Sequence, residues 1–143
     1  MCKLSPTGIT LLKIFEGVKL KSYKDTGGVW TIGIGHTPAN PNQVITQAEA
    51  DKLLLNDLLR FEKALSGLVK VKLNQNKIDA LIIFMFNIGI NAFKNSTLLK
   101  LLNNNDFIKA SEQFHRWNKD NSGKEVDGLT RRREIERKLF IKK

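Results

Sequence analysis

The chain has 143 residues, 41% of them hydrophobic, and a net charge of +10, which suits one domain with a real core and excludes a disordered polypeptide. A single cysteine, Cys2, rules out an internal disulfide, and the other soft ligands, His36 and His115, stand too far apart in unrelated contexts for a zinc site. The longest apolar run, residues 80–86, is too short to cross a bilayer and the first ten residues hold no apolar signal core, so the expectation is synthesis as a soluble cytoplasmic protein that cannot export itself and has no stable membrane insertion.

The first helix is predicted from Pro6, with Ser5 as N-cap, to about Glu16, where Gly17 stops it. Residues 18–36 read as short strands around the turn Thr26-Gly27-Gly28. Residues 37–45 carry two of the three prolines and read as loop. Thr46 and Glu49 form a capping box ahead of a long helix to about Ser66, with Leu54, Leu58, Phe61 and Leu65 at helical spacing. Beyond Gly67 the pattern is helical: a buried helix including residues 78–89, a short one over 96–103, and one from Asp106 to Asn118. A polar loop over 119–128 then leads to a final basic helix. The expected fold is α+β, mostly α, as a single domain. A small N-terminal lobe of about residues 1–46 holds the only β structure, a connecting helix covers about 47–66, and a helical lobe covers about 67–143. A cleft between the lobes is the expected ligand site.

The last thirteen residues hold seven positive and two negative charges, half of the net excess. Such a balance favours a polyanionic partner such as a nucleic acid, an anionic membrane or an acidic cell wall, and it also suits a merely solvated surface.

Three residues suggest chemistry. Glu16 follows Ile9 and Leu12 at i−7 and i−4, on their apolar helix face, where desolvation would favour the neutral form of a carboxyl group that a general acid must supply. Equally, a glutamate at a fraying helix end can reach water. Asp25 and Thr31 flank the turn and would lie nearly opposite each other on a hairpin. Alternation puts Trp30, Ile32 and Ile34 on one face and Val29, Thr31, Gly33 and Gly35 on the other, a glycine-lined face that a substrate could approach. An aspartate and a threonine hydroxyl facing one space can hold a water between them. With a protonated glutamate nearby, they are the equipment of an inverting glycosidase. Taken singly, Asp25 is also an ordinary turn residue and Thr31 an ordinary strand residue.

The spacing Glu16, eight residues, Asp25, five residues, Thr31 resembles that of the phage-type lysozymes, the endolysin muramidases of glycoside hydrolase family 24. The neighbouring words Phe15-Glu16-Gly17, Tyr23-Lys24-Asp25 and Thr31-Ile32-Gly33-Ile34-Gly35-His36 resemble the family too. Residues 86–99, the pair Arg116-Trp117 and the ending over 128–140 look like its further signatures. The resemblance implies a lysozyme-like fold and hydrolysis of the β-1,4 bond between N-acetylmuramic acid and N-acetylglucosamine in peptidoglycan, for host cell lysis. It implies Glu16 as general acid and Asp25 as the residue that orients or activates water, with Thr31 as its partner. It also implies Thr37, Phe86, Ser96 and Arg116 as substrate-binding positions, and Arg132 or Arg133 as a partner of the N-terminal lobe. No cofactor or metal is implied. The expected partners are bacterial cell-wall peptidoglycan and a holin that gives access to it, with a monomeric enzyme made in the host cytoplasm acting on the periplasmic wall. His36 reads as a structural hydrogen-bonder. Trp30 is open to sugar stacking, while Trp117 is expected in the core through Phe107, Ala110 and Phe114.

Other readings fare worse. Asp25-Thr26-Gly27 is the word of an aspartic protease, but such an enzyme needs two aspartates sharing a proton and a β-rich fold. Gly33 and Gly35 lack the third glycine or the Lys-Ser/Thr of a nucleotide loop. The alternatives from other classes are a catalytically weak peptidoglycan-binding module and a basic nucleic-acid-binding module. For the second, interleaved aromatics and a known fold signature are missing, so no nucleic acid is expected as partner.

Overall fold

Ser5 starts the first helix as its sequence requires: its hydroxyl accepts from the Gly8 N–H at 3.0 Å. In this computed structural model, which describes residues 2–143, helix α1 runs Pro6–Glu16 and is followed by strands β1 (Lys19–Lys24) and β2 (Trp30–Gly33). Helices α2 (Gln47–Leu68), α3 (Gln75–Ile88), α4 (Ile90–Lys94), α5 (Thr97–Asn103) and α6 (Phe107–Glu112) come next, then a 3-10 turn (Phe114–Arg116) and α7 (Asp127–Ile141). The chain is thus mostly helical with one two-stranded antiparallel sheet. No helix of the described residues is long and apolar enough to cross a membrane.

Two compact units are present: Ile9–Arg60, and residues up to Gly8 together with Phe61–Lys143. In the first unit the Gly17 N–H closes α1 on the Lys13 carbonyl at 2.8 Å, with Gly17 at φ 69°. Such a left-handed C-terminal stop costs a glycine nothing. The β1–β2 ladder pairs Tyr23 with Thr31 and Lys24 with Trp30, and the other edge of β1 bridges to Val44 through Lys21. The capping box forms: Glu49 N–H donates to Thr46 Oγ1 at 3.1 Å and Thr46 N–H to Glu49 Oε1 at 3.2 Å. Ile32, Ile45 and Ala50 pack together as a core beneath the sheet.

The second unit is built around α3, which is buried from Asp79 to Met85 and packs chiefly against α7. The Phe84 ring lies 4.9 Å from Phe114, 6.4 Å from Phe93 and 5.9 Å from Trp117. The N-terminal segment belongs here as well. Cys2 N–H donates to Ser66 Oγ, Leu4 N–H to Glu62 Oε2 (both 2.8 Å), and Ser5 is held by the buried Asp79 carboxylate.

Two expectations need correction. The helix predicted from Asp106 to Asn118 stops at Glu112 and tightens into the 3-10 turn, with the Arg116 and Trp117 N–H groups bonding three residues back. This keeps Phe114 fully buried and leaves the Trp117 carbonyl free to accept from Arg133 Nε at 2.8 Å. Trp117 therefore meets Phe84 by its own route, not along a shared helix face. Second, the face of Thr31 and Gly33 is not open to a substrate: both are buried, as are Ile32 and Ile34, and the strand ends in a tight turn in which Ile32 and His36 exchange backbone bonds. Gly33 and Gly35 sit at φ 67° and 65°. They are there for that turn, and a Cβ on Gly33 would meet Ala50 and Ile45 at 3.5 Å. Outside the sheet, Lys119 makes an isolated bridge to Glu125 around a second tight turn.

Candidate active site

The hairpin loop is organised by one carboxylate. Asp25 Oδ1 accepts from the N–H groups of Gly27 and Val29, both at 2.9 Å. The Asp25 N–H donates to the Val29 carbonyl at 2.9 Å and the Gly28 N–H to the Asp25 carbonyl at 3.0 Å, with Gly28 at φ 80°. Aspartate does this because its short side chain mimics a backbone turn. The arrangement engages Oδ1 twice and turns the exposed Asp25 carboxylate into a fixed group whose Oδ2 has no donor among the described residues.

Thr31 is buried at 4% exposure, and its Oγ1 donates to the Val29 carbonyl at 3.0 Å. It pairs across the ladder with Tyr23, and cross-strand partners share a face. Asp25 follows the end of β1 and bonds Val29 through its N–H, two residues before Thr31 on the facing strand. Thr31 and Asp25 are therefore diagonal neighbours rather than directly opposed. Glu16 is the last residue of α1 and is half-buried, with the fully buried Leu12 one turn before it. The link between the helix end and the hairpin is Tyr23. Partial burial, then the negative charges of Glu16 and Asp25, push its phenol above the usual value of 10.0. So Glu16, Tyr23, Asp25 and Thr31 are gathered within one unit by a helix end and one hairpin.

His36 in the turn after β2 is held by Asp57 of α2, Nδ1 to Oδ2 at 2.8 Å, the structural hydrogen bond expected of it. Trp30 is half-buried with Lys24 Nζ 5.6 Å over its ring.

Residues 13–136 match the family model for phage lysozyme. The chain belongs to the phage lysozyme family. It is 45% identical over 147 aligned positions to the endolysin of Salmonella phage P22, covering 99% of each. It also superposes on the solved P22 lysozyme with a TM-score of 0.86 and 40% identity, over 99% of this chain and 100% of that one. It is 44% identical to the endolysin of Bacillus phage B103 over 96% of this chain, and it spans about half (54%) of that relative's length. The muramidase domain of SpmX from Asticaccaulis excentricus superposes over 100% of both chains with a TM-score of 0.92 and 37% identity.

The remaining positions singled out by the phage-lysozyme resemblance are distributed as follows. Thr37 is exposed, in the first unit, and joined to Pro38 by a cis peptide. Phe86, Ser96 and Arg116 belong to the second unit. Phe86 is half-buried, its ring 5.0 Å from Phe61. Ser96 is buried as the N-cap of α5, its hydroxyl donating to the Phe93 carbonyl at 2.7 Å and accepting from the Leu99 N–H at 3.1 Å. Arg116 is exposed beside Gln113.

The basic ending is only partly a surface. Arg133 is 1% exposed, bonded to Glu136 Oε1 at 2.7 Å and to Asn87, and lies 5.0 Å over the Phe84 ring. Arg132 reaches Glu136 Oε2 and the Ile83 carbonyl, both at 3.1 Å. Among the described residues no group of three or more His, Cys, Asp or Glu side chains could hold a metal ion.

Proposed function

We propose that this chain is a muramidase of the endolysin type that hydrolyses the β-1,4 bond between N-acetylmuramic acid and N-acetylglucosamine in peptidoglycan with inversion. The observation that carries the reading is the Asp25 carboxylate, fixed through Oδ1 by two backbone N–H groups, its other oxygen open, on a hairpin beside Glu16 and Thr31. In this mechanism Glu16 donates its proton to the glycosidic oxygen as the bond to the anomeric carbon breaks. Asp25 Oδ2 takes a proton from a water that Thr31 helps to hold. The water oxygen attacks the opposite side of the sugar, so the new hydroxyl has the inverted configuration. This geometry needs room for a water, roughly 6.5–9.5 Å between the two carboxyl groups during the reaction.

Thr37, Phe86, Ser96 and Arg116 are proposed contacts to the glycan. Ser96 would contribute through the backbone it caps, since its proton is already given to Phe93. The whole protein is proposed to act as a monomer on the periplasmic wall after synthesis in the host cytoplasm, a holin giving it access. The test is clearing of isolated cell walls or permeabilised Gram-negative cells. Glu16→Gln should abolish clearing with the fold intact, and full clearing by that variant would end the assignment. New reducing ends must come from muramic acid; freed amines or stem peptides would indicate an amidase or peptidase. NMR of the first product must give the α-anomer from the β-linked chain.

A further inference from the structure

Tyr23 has no part in the chemistry above, yet it pairs directly with Thr31 and stands two residues from Asp25. Its ring is half-buried, and among the described residues its phenolic oxygen meets no hydrogen-bond partner. Since no buried side-chain oxygen is left unpartnered among the described residues, this oxygen reaches the surface, where a ligand can meet it. A phenol is protonated near neutral pH, and partial burial, then the negative charges of Glu16 and Asp25, raise its pKa further, so toward a ligand it is a donor.

We propose that Tyr23 is a substrate-binding residue at the bond being cut: its hydroxyl donates a hydrogen bond to an oxygen of an N-acetylated amino sugar, and its ring forms an apolar wall for that sugar. The inference rests on the muramidase reading. A neutral donor that feels both the acid and the water-activating carboxylate has a second consequence. It holds the sugar oxygen near both groups while adding no charge that would pair off either carboxylate.

Tyr23→Phe removes the hydroxyl and nothing else. Because that hydroxyl makes no protein hydrogen bond, the variant should melt with the parent. Its kcat/KM on a soluble glycan of alternating N-acetylglucosamine and N-acetylmuramic acid should fall by roughly three- to tenfold, the worth of one hydrogen bond. The pH–rate profile should keep its shape. In a Glu16→Gln background, which binds without cutting, the same glycan should bind Tyr23→Phe more weakly by a similar factor. Parent-like turnover and binding would overturn the proposal. So would a loss that tracks a lowered melting temperature, which marks a structural role, or a displaced alkaline limb, which marks a proton carrier. If Glu16→Gln alone still cuts the glycan, the muramidase reading fails. If Glu16→Gln is inert and Tyr23→Phe behaves as parent, only the role of Tyr23 fails.

Discussion

Asp25 combines two jobs, and the structure offers a way to separate them. Its Oδ1 holds the loop through Gly27 and Val29, while the charge, expressed at Oδ2, is what the hydrolytic reading requires. Asp120 makes the same turn residue for residue in the other unit. Its Oδ1 accepts from the N–H groups of Ser122 (2.9 Å) and Lys124 (3.1 Å), its N–H donates to the Lys124 carbonyl (2.8 Å), and Gly123 occupies the place of Gly28 at φ 84°. In Asp25→Asn the amide oxygen can accept the same two bonds, so the melting temperature should hardly move. The charge is lost, and activity should drop by about 10²- to 10⁴-fold, or roughly 3–5 kcal/mol of barrier. Asp25→Ala loses the two hydrogen bonds in addition, worth about 1–2 kcal/mol in total at an exposed site. Asp120→Ala disturbs the twin turn, lowering the melting temperature in the same sense while leaving wall hydrolysis unchanged. Calorimetry and the release of reducing ends, measured on all three variants, make the comparison. An Asp25→Asn enzyme with parent activity would refute the role of the charge. An Asp120→Ala enzyme as inactive as Asp25→Ala would show that losing a turn suffices.

Further outcomes follow from other sites. A Cβ at Gly8 would lie 2.6 Å from Leu4 Cδ1 and 2.9 Å from Asp79 Cγ, so Gly8→Ala should overpack by about 1–3 kcal/mol, only partly offset by the helix preference of alanine; a raised urea midpoint would contradict this. Phe84→Ala removes the ring that meets Phe93, Phe114, Trp117 and Arg133, and should cost about 3–5 kcal/mol in chemical denaturation. The Arg137 hydrogen bond, ahead of the charges of Arg137, His115 and Lys138, holds the Glu134 carboxyl below its ordinary 4.5. Its stabilisation is therefore present above that pH and lost as the pH falls through the lowered folded value. Glu134→Gln should flatten this acid-side decline, and equal slopes of melting temperature against pH would remove Glu134 from the account. Binding to isolated walls should weaken with added salt if the exposed lysines and arginines engage acidic stems, and a flat response would leave the net charge as a solubility device.

Much of the frame was legible because its signals are local. Ser5 and Pro6, Gly17, and the Thr46–Glu49 box each act within four residues of a helix end, and each does what its sequence predicts. The burial of Arg132 and Arg133 was not legible because its cause is remote: their partners lie 49, 46 and 16 residues away, at Ile83, Asn87 and Trp117. The glycines misled for another reason. A strand glycine admitting a ligand and a glycine taking a positive φ look alike in sequence, and only the bridge between Ile32 and His36 decides between them. The Asp-x-x-Gly word has the same ambiguity, because it folds into one turn at two places. Around Asp25, the strand positions next along carry Tyr23 and Thr31, and Glu16 stands nine residues upstream. Around Asp120 the equivalent positions carry Asn118 and Val126, whose backbones pair at 2.8 Å, and Ser111 stands nine residues upstream. The turn fixes a carboxylate in both cases. A second acid and a hydroxyl on the same side make one of them a candidate for catalysis, so spacing to Glu16 and Thr31 is the informative part of the sequence and the aspartate word alone is not.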